Sequence, residues 1–446
     1  MTRRKSLLTV ALLGALTLIG AACADEPGPT GPGGGGAQAQ CQEDEFGCVQ
    51  YGAGEPIKLG GMLTISGDTA SLGQDSANGV RLAIDNLDGR LDGQEGQLLG
   101  RSISFNVEDS LCTAEGGQAA ATRVAADPKI VGVIGTSCSS EALGVADRIL
   151  SDKGIVLFSP SNTNPNLTAE GTHQPFYART AHNDKIQGAI VANYAYDEAG
   201  ARTAATINDE SPYADALAAV FRQVFQAKGG QIVAEEAIQS TDKDFRPLLT
   251  RIGQANPDVL YYPDFNPACG LLAKQGRAVD GLQEAVFIGS DGCAAPDYGQ
   301  VAGNAADGTF LSSPDLSGFT DEQFYRDTFL PQYREQFGSA PTASFHAHAY
   351  DAANVLFDAI ERTAIREGDN VFIPRTALKD ALLQTRNYRG LTGTITCNPL
   401  GDCGAVIPIA LYEVPNDPFV GEETNARPVF SQTLSLEEAE QLAGGS

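Results

Sequence analysis

The residues best suited to chemistry are the hydroxyls of Thr136-Ser137-Cys138-Ser139-Ser140, which follow the apolar run Ile130-Val-Gly-Val-Ile134 and Gly135. Such a run reads as a strand buried on both faces of a parallel sheet. From Ser139 a helical pattern takes over, with Leu143, Ala146, Ile149 and Leu150 on one face. Strand, small polar turn and helix start leave backbone N–H groups and serine hydroxyls free at the carboxyl end of a sheet. That place suits an anion. Ser139 is therefore expected to hold the carboxylate of a small amino-acid-like ligand.

Other chemistries fare worse. Ser139 has no evident activating base, since His173 and His182 fall in loops with nothing to orient them. No Gly-x-Ser-x-Gly elbow, Gly-Lys-Ser/Thr loop or Gly-x-Gly-x-x-Gly turn occurs, so neither an enzyme nor a cofactor is expected. His346-Ala-His348 with Asp351 invites a metal reading, but positions two apart on a helix face different ways, and no metal is expected. Asn166-Leu-Thr168 fits a glycosylation pattern and is read as structural.

The elements that would position Ser139 follow from a strict alternation. Ile57–Ile65, Ile103–Val107, Ile130–Ile134 and Ile155–Phe158 read as strands. Between them lie a helix face of Val80, Ala83, Ile84 and Leu87 and the helices Ala114–Ala126 and Ser140–Leu150. A second series follows Arg179, with strands at Thr203–Ile207, Ile232–Ala237, Val259–Tyr262 and Val286–Ile288. Its helices are Asp184–Ala199, Tyr213–Lys228, Phe245–Gln254 and Ala268–Ala278. Alternation of this kind implies parallel sheets with helices on both faces, and ligands off the carboxyl ends of the strands. Then come helical patterns at Glu322–Phe337, Phe345–Glu367 and Pro374–Gln384, and strands at Gly390–Thr396 and Val406–Val414. The expected class is α/β: two Rossmann-like lobes with parallel sheets flanked by helices, joined by a multi-strand hinge. Residues 56–180 begin the first lobe, 181–313 form the main part of the second, 314–405 return to the first, and 406–414 add a strand to the second. Residues 415–446 read as a tail, with a short helix at Leu434–Leu442.

Length and charge agree with two lobes and exclude one partner. The 446 residues are ample for two cores at ~150 residues per domain. A formal charge of −26 leaves no basic face for nucleic acid. Met1–Cys23 has a basic start, an apolar stretch from Leu7 to Ile19 and then Gly20-Ala21-Ala22-Cys23. This reads as a secretory signal, too short and wrongly flanked to span a membrane. It resembles a bacterial lipoprotein signal, which implies lipidation at Cys23, membrane attachment through that lipid alone and an extracytoplasmic location, outside the cytoplasmic membrane or in the periplasm. Residues 24–55 read as a Gly/Pro-rich tether and a small Cys41–Cys48 loop. Eight further cysteines in an exported chain read as disulfides. Four sequential pairs, including Cys397–Cys403, are the simplest of 105 connectivities.

The motifs Ser66-Gly67…Gly73, Val133-Ile-Gly-Thr-Ser-Cys-Ser-Ser140, Ser159-Pro-Ser-Asn-Thr163 with Leu167-Thr-Ala-Glu-Gly171, Val259-Leu-Tyr-Tyr262 and Ile288-Gly-Ser-Asp-Gly292 are each weak alone. Five in order at matching intervals are specific. Over roughly Ile57 to Val414 the chain resembles the leucine/isoleucine/valine-binding family of ABC-transporter solute-binding proteins, of the type I periplasmic-binding fold. The resemblance implies a small-molecule ligand, an amino acid, and ABC permease subunits as partners. It implies that Ser139 and Thr163 hold the ligand carboxylate, and that the Ser161 carbonyl, the Thr163 hydroxyl and Asp291 hold the ammonium. It places Tyr213 and Phe265 over the ligand from the second lobe. It also implies a Cys112–Cys138 bridge, whose loop of about 25 residues would be worth about 3 kcal/mol and would fix the turn carrying Ser139.

Departures from the family pattern bear on the side-chain end of the ligand. Leu72 stands where the family often has an aromatic, Phe265 replaces a tyrosine, and Asn162 replaces a small residue beside the carboxylate site. Asp264, beside Phe265, could meet a basic ligand side chain and is read as an exposed acid. Cys269 and Cys293 flank this wall, and a bond between them would hold Phe265 and Asp291 in register. Two rivals keep the fold or the leader: a sensor or binder of an amide, urea or other non-zwitterion, for which Asp291 would be dispensable, and a surface adhesion lipoprotein with no saturable ligand.

Overall fold

The computed structural model describes residues 36–404, 406, 408–420 and 426–444. The leader and the expected lipidation residue Cys23 lie outside the described residues. Two parallel sheets organise the chain. The first runs in the spatial order Ile103–Asp109, Ile57–Leu63, Ile130–Gly135, Val156–Ser159, Tyr177–Arg179, with every neighbouring pair parallel. The second has seven strands in the order Phe430–Gln432, Ile409–Glu413, Phe310–Pro314, Val286–Gly289, Val259–Tyr262, Thr203–Asn208, Gln231–Ala237. Its last five are parallel and its first two antiparallel.

In both sheets the first strand of the lobe sits between the second and the third. This is the switch point at which an α/β sheet opens a crevice at its carboxyl end. In the first lobe the switch lies between the ends of Ile57–Leu63 and Ile130–Gly135, and the turn bearing Ser139 springs from it. In the second it lies between Thr203–Asn208 and Val259–Tyr262, from which the segments bearing Tyr213 and Phe265 emerge. The chain crosses between lobes at 179–184, 314–320 and 403–409.

Apolar faces close each lobe. In the first, helix His346–Thr363 lies along Ala70–Asp85, and Val80, Ile84, Leu356 and Ile360 form a core with Leu59 and Phe158. Gly79 permits this approach: a Cβ there would stand 2.1 Å from the His346 carbonyl oxygen. The other face packs Val124, Val133, Leu150 and Leu157. The second lobe carries one cluster around Leu249, Leu260 and Phe287 and another around Leu217, Phe221 and Tyr261. Burying such side chains stabilises by about 1.5–3 kcal/mol each.

Several elements depart from the pattern reading. The helix expected to reach Glu367 stops at Thr363, because β-branched Ile365 starts a hairpin: Ile365–Glu367 pairs with Asn370–Pro374 around Gly368, whose φ is +61°. Asn370–Pro374 also pairs with Cys48–Tyr51, so the segment before residue 56 joins the first lobe, and a helix at Ala37–Glu43 replaces the end of the expected tether. The strand expected over 390–396 is a hairpin of Tyr388–Arg389 and Thr394–Ile395, and that over 406–414 narrows to Ile409–Glu413. The residues after Val414 are no mere tail. Phe430–Gln432 becomes an edge strand, and helix Leu436–Leu442, capped by Ser435 and Glu438, buries Ala439 against the second lobe. The structure bonds Cys41 to Cys48, Cys112 to Cys138, Cys269 to Cys293 and Cys397 to Cys403. Among the described residues no helix is long and apolar enough to cross a membrane.

Candidate functional site

The Ser139 turn is held from beneath by groups that a linear reading gives no reason to single out. Gly135, with φ +146°, lets the chain leave its strand against Met62, whose carbonyl oxygen would stand 2.2 Å from any Cβ there. Glu141 is fully buried, and its carboxylate accepts the N–H of Cys138 and of Cys112, each at 2.8 Å, and the Thr64 hydroxyl at 2.9 Å. One acid thus ties both ends of the Cys112–Cys138 bridge to the first strand. Burial pushes its carboxyl above the usual range. Ser139 then opens the helical stretch, and its own N–H is among those without an intrahelical acceptor.

The next loop folds against this turn. Ser161 Oγ donates to the Ser137 carbonyl at 2.8 Å. Asn162, placed by the resemblance among the ligand-site residues, has a bracing role as well. It is fully buried, and its amide donates to the Thr136 carbonyl at 3.0 Å and accepts from the Thr136 hydroxyl at 2.9 Å and Tyr177 at 3.3 Å. Its side chain braces the two loops, with both lone pairs of its oxygen and one of its two N–H groups engaged. The Asn164 N–H donates to Ser139 Oγ at 3.2 Å, which brings Ser139 and Thr163 to one place and leaves the serine hydroxyl hydrogen free to donate. Arg179, wholly buried, clamps the loop by donating to the carbonyls of Asn162 and Asn164 at 3.2 and 2.8 Å, and it is itself paired with Asp402.

From the second lobe, the Tyr213 hydroxyl contacts Ser290 Oγ at 2.8 Å and Asp291 Oδ1 at 2.9 Å. Burial and the Asp291 charge push this phenol well above its usual range, so it keeps its proton. The Phe265 ring lies 5.0 Å from that of Tyr213. Phe265 and Asp291 line a cavity whose opposite wall is the first-lobe segment Asp68–Leu72. The Asn164 amide donates to the Pro212 carbonyl across the lobes, and Ser139, Ser161, Thr163 and Tyr213 are all buried. A larger hollow near Tyr325, Arg334 and Phe419 contains none of these residues.

Two residues of the helix Asp184–Asn193 join the site without having been expected there. Asp184 is wholly buried with its carboxyl beside the Thr163 hydroxyl, and the two groups have no well-formed hydrogen bond to any other described residue. Burial and the nearby Asp291 charge hold its carboxyl well above the usual range. Gln187 donates to Asp291 Oδ1 at 2.7 Å, and its carbonyl end meets His182 Nε2 at 2.7 Å. Because a carboxylate must receive the amide's N–H, the imidazole must present Nε2–H. His182 is thus oriented, and so is His173, which meets the Tyr177 carbonyl at 3.0 Å. Burial lowers the pKa of both imidazoles. Both were expected to be unheld. A carboxylate at the start of a helix reads as an ordinary first-turn acid, which concealed Asp184.

Asp264 is a further correction: it is 1% exposed, not a surface acid. Burial and the neighbouring Asp209 charge raise its carboxyl well above the usual range. His346 meets Asp75 at 3.0 Å and Tyr325 at 2.7 Å, while Asp351 caps the turn at Leu391 and Thr392. Chemically, the cleft offers hydroxyl donors at one end and two acids without a salt-bridge partner among the described residues, Asp184 and Asp291, at the other. That is a pattern complementary to a dipolar molecule.

Comparison with known proteins agrees with this geometry. A family model described as periplasmic binding protein matches residues 56–417. A Leu/Ile/Val-binding protein of Rhizobium johnstonii is 29% identical over 347 residues, 78% of this chain and 88% of that protein. A leucine-specific-binding protein of Salmonella typhimurium is 31% identical over 267 residues, covering 60% and 69% respectively. Among solved structures, a leucine-binding protein of Thermotoga maritima superposes with a TM-score of 0.70 at 24% identity, over 85% of this chain and 98% of that one. A branched-chain amino acid transporter substrate-binding protein of Streptococcus pneumoniae, in complex with isoleucine, gives 0.69 at 24% identity over 85% and 99%.

Proposed function

The chain belongs to the periplasmic binding protein family, in its leucine/isoleucine/valine-binding form, and on that premise we propose that it is the extracytoplasmic substrate-binding component of an ABC importer, closing its two lobes on a zwitterionic amino acid. The ligand carboxylate sits at Ser139 and Thr163. Its ammonium meets the Ser161 carbonyl, the Thr163 hydroxyl and Asp291, with Asp184 as a second carboxylate, and Tyr213 and Phe265 cover it. Cys23 carries the lipid that holds the protein at the membrane, and the permease subunits read the closed form. A ligand that bridges both lobes favours closure over opening, and this is what a permease can sense.

One observation carries the reading: the wholly buried acid Asp184 and the half-buried Asp291 have no salt-bridge partner among the described residues, while hydroxyl donors stand at the facing loop. Burial disfavours the ionised form of Asp184, and an ammonium beside it and Asp291 supplies the counter-charge that both acids lack. A thermal-shift screen of the purified protein against the twenty amino acids, small amides and polyamines tests it. An amino acid that raises the melting temperature while amides do not supports it; stabilisation by amides alone replaces it with a non-zwitterion binder.

A further inference from the structure

Beyond the zwitterion contacts, the cavity between the lobes has a composition that a hydrocarbon side chain does not explain. Its near walls are apolar, from Leu72 and Ala343 in the first lobe and Phe265 in the second. Its remaining lining carries Asp68 and Asp297 from opposite lobes, and none of the residues lining it is basic. Asp297 is half-buried; burial and the Asp68 charge, among other contacts, raise its carboxyl above the usual range.

Asn266 supplies an independent sign. It is 6% exposed and lines the same cavity. Its amide nitrogen donates to the Cys293 carbonyl at 2.9 Å and to Asp297 Oδ1 at 3.0 Å, which fixes the orientation of the group. Its carbonyl oxygen is buried and meets no donor among the described residues. A buried acceptor left in this way calls for an N–H from outside the chain. Sealing an apolar ligand here would leave this carbonyl unpaired and Asp297 without a counter-charge. An alkyl stem ending in a cation would pack its methylenes on Leu72 and Phe265 and bring its donors to Asp297, Asp68 and Asn266.

We propose that the ligand is an α-amino acid with a cationic side chain, of the lysine, ornithine or arginine kind, whose distal charge is held by Asp297, Asp68 and the Asn266 carbonyl. This rests on the amino-acid reading above and narrows it to a substrate class. Asp297 and Asp68 are the residues that set specificity, Asp297 in a position fixed by Asn266.

Calorimetry with L-lysine and L-norleucine tests it, since norleucine matches the lysine stem and lacks only the ε-ammonium. Lysine is expected to bind at least tenfold more tightly than norleucine. Asp297→Asn keeps the acceptor that Asn266 uses. It is expected to weaken lysine at least tenfold and norleucine less than threefold. Norleucine or leucine binding as tightly as lysine, arginine and ornithine overturns this inference and leaves the amino-acid reading standing, as does an Asp297→Asn variant that weakens both ligands equally. Binding of none of these overturns this inference, and the amino-acid reading falls with it only if the other amino acids of the thermal-shift screen also fail to bind.

Discussion

Gln187 Nε2 lies 2.7 Å from Asp291 Oδ1 and so joins the first helix after the lobe crossover to the wall of the second lobe. The same amide nitrogen reaches Ser312 Oγ at 3.0 Å, and the amide carbonyl holds His182. Asp291 therefore receives two oriented donors, from Gln187 and Tyr213, that fix one carboxylate oxygen and leave the other for a ligand. Gln187→Met removes one of them. The expected result is a loss of about 1–2 kcal/mol in amino-acid affinity, read by calorimetry, together with a lower melting temperature because His182 and Ser312 lose a buried partner. Unaltered affinity would show that Tyr213 alone positions the acid.

Asp184 gives binding a proton signature. Its carboxyl is held well above the usual range by burial and by Asp291, and an ammonium placed beside it favours the ionised form. Binding should thus release a proton and tighten as pH rises toward neutrality. Calorimetry in two buffers of different ionisation enthalpy measures the release directly. Asp184→Asn is expected to abolish it and to weaken binding; equal heats in both buffers for the unaltered protein would contradict the assignment.

His348 governs acid stability. Its imidazole is fully buried, neither ring nitrogen has a partner among the described residues, and burial together with His182 and His346 lowers its pKa to about 3. The unfolded chain protonates this residue below about pH 6.5, while the folded chain keeps it neutral. Stability is therefore lost as pH falls from about 6.5 toward 3. Substituting His348→Leu removes the buried titrating group and should gain about 2–3 kcal/mol at pH 4.5 relative to its effect at pH 8. Urea titrations at the two pH values decide the matter, and parallel pH dependences in the two proteins would refute it.

The Cys112–Cys138 bridge spans 26 residues, for which chain entropy predicts about 3 kcal/mol. Glu141 nevertheless grips the N–H of both cysteines, so the turn should keep its shape without the bond. Replacing both cysteines by alanine is expected to lower the unfolding free energy by about 3 kcal/mol while amino-acid affinity changes less than threefold. A larger loss of affinity would mean that the sulfur bridge, not the carboxylate, shapes the Ser139 turn.

The lobes were legible because alternating apolar strands and amphipathic helices leave two distinct periods in the chain. Ser139 was singled out by the polar turn that follows a buried strand, whereas Tyr213 and Asp291 came only from the resemblance to the family. Asp184 and Gln187 were not legible, since their role arises only when the crossover at 179–184 lays their helix beside the other lobe. The bracing role of Asn162 was hidden for a similar reason: its bonds to Thr136 and Tyr177 form only when the two loops fold together. Asp264 was read as exposed from its acid side chain alone, whereas the end of the Val259–Tyr262 strand carries it inside.

The central claim is that one dipolar amino acid is gripped between Ser139 and Thr163 at its acid end and Asp291 and Asp184 at its amine. Calorimetry of Asp291→Ala against the amino acid that most stabilises the unaltered protein tests this most directly. A loss of about 2–5 kcal/mol is predicted, because the ammonium loses a charged, oriented partner. Affinity equal to that of the unaltered protein would contradict it.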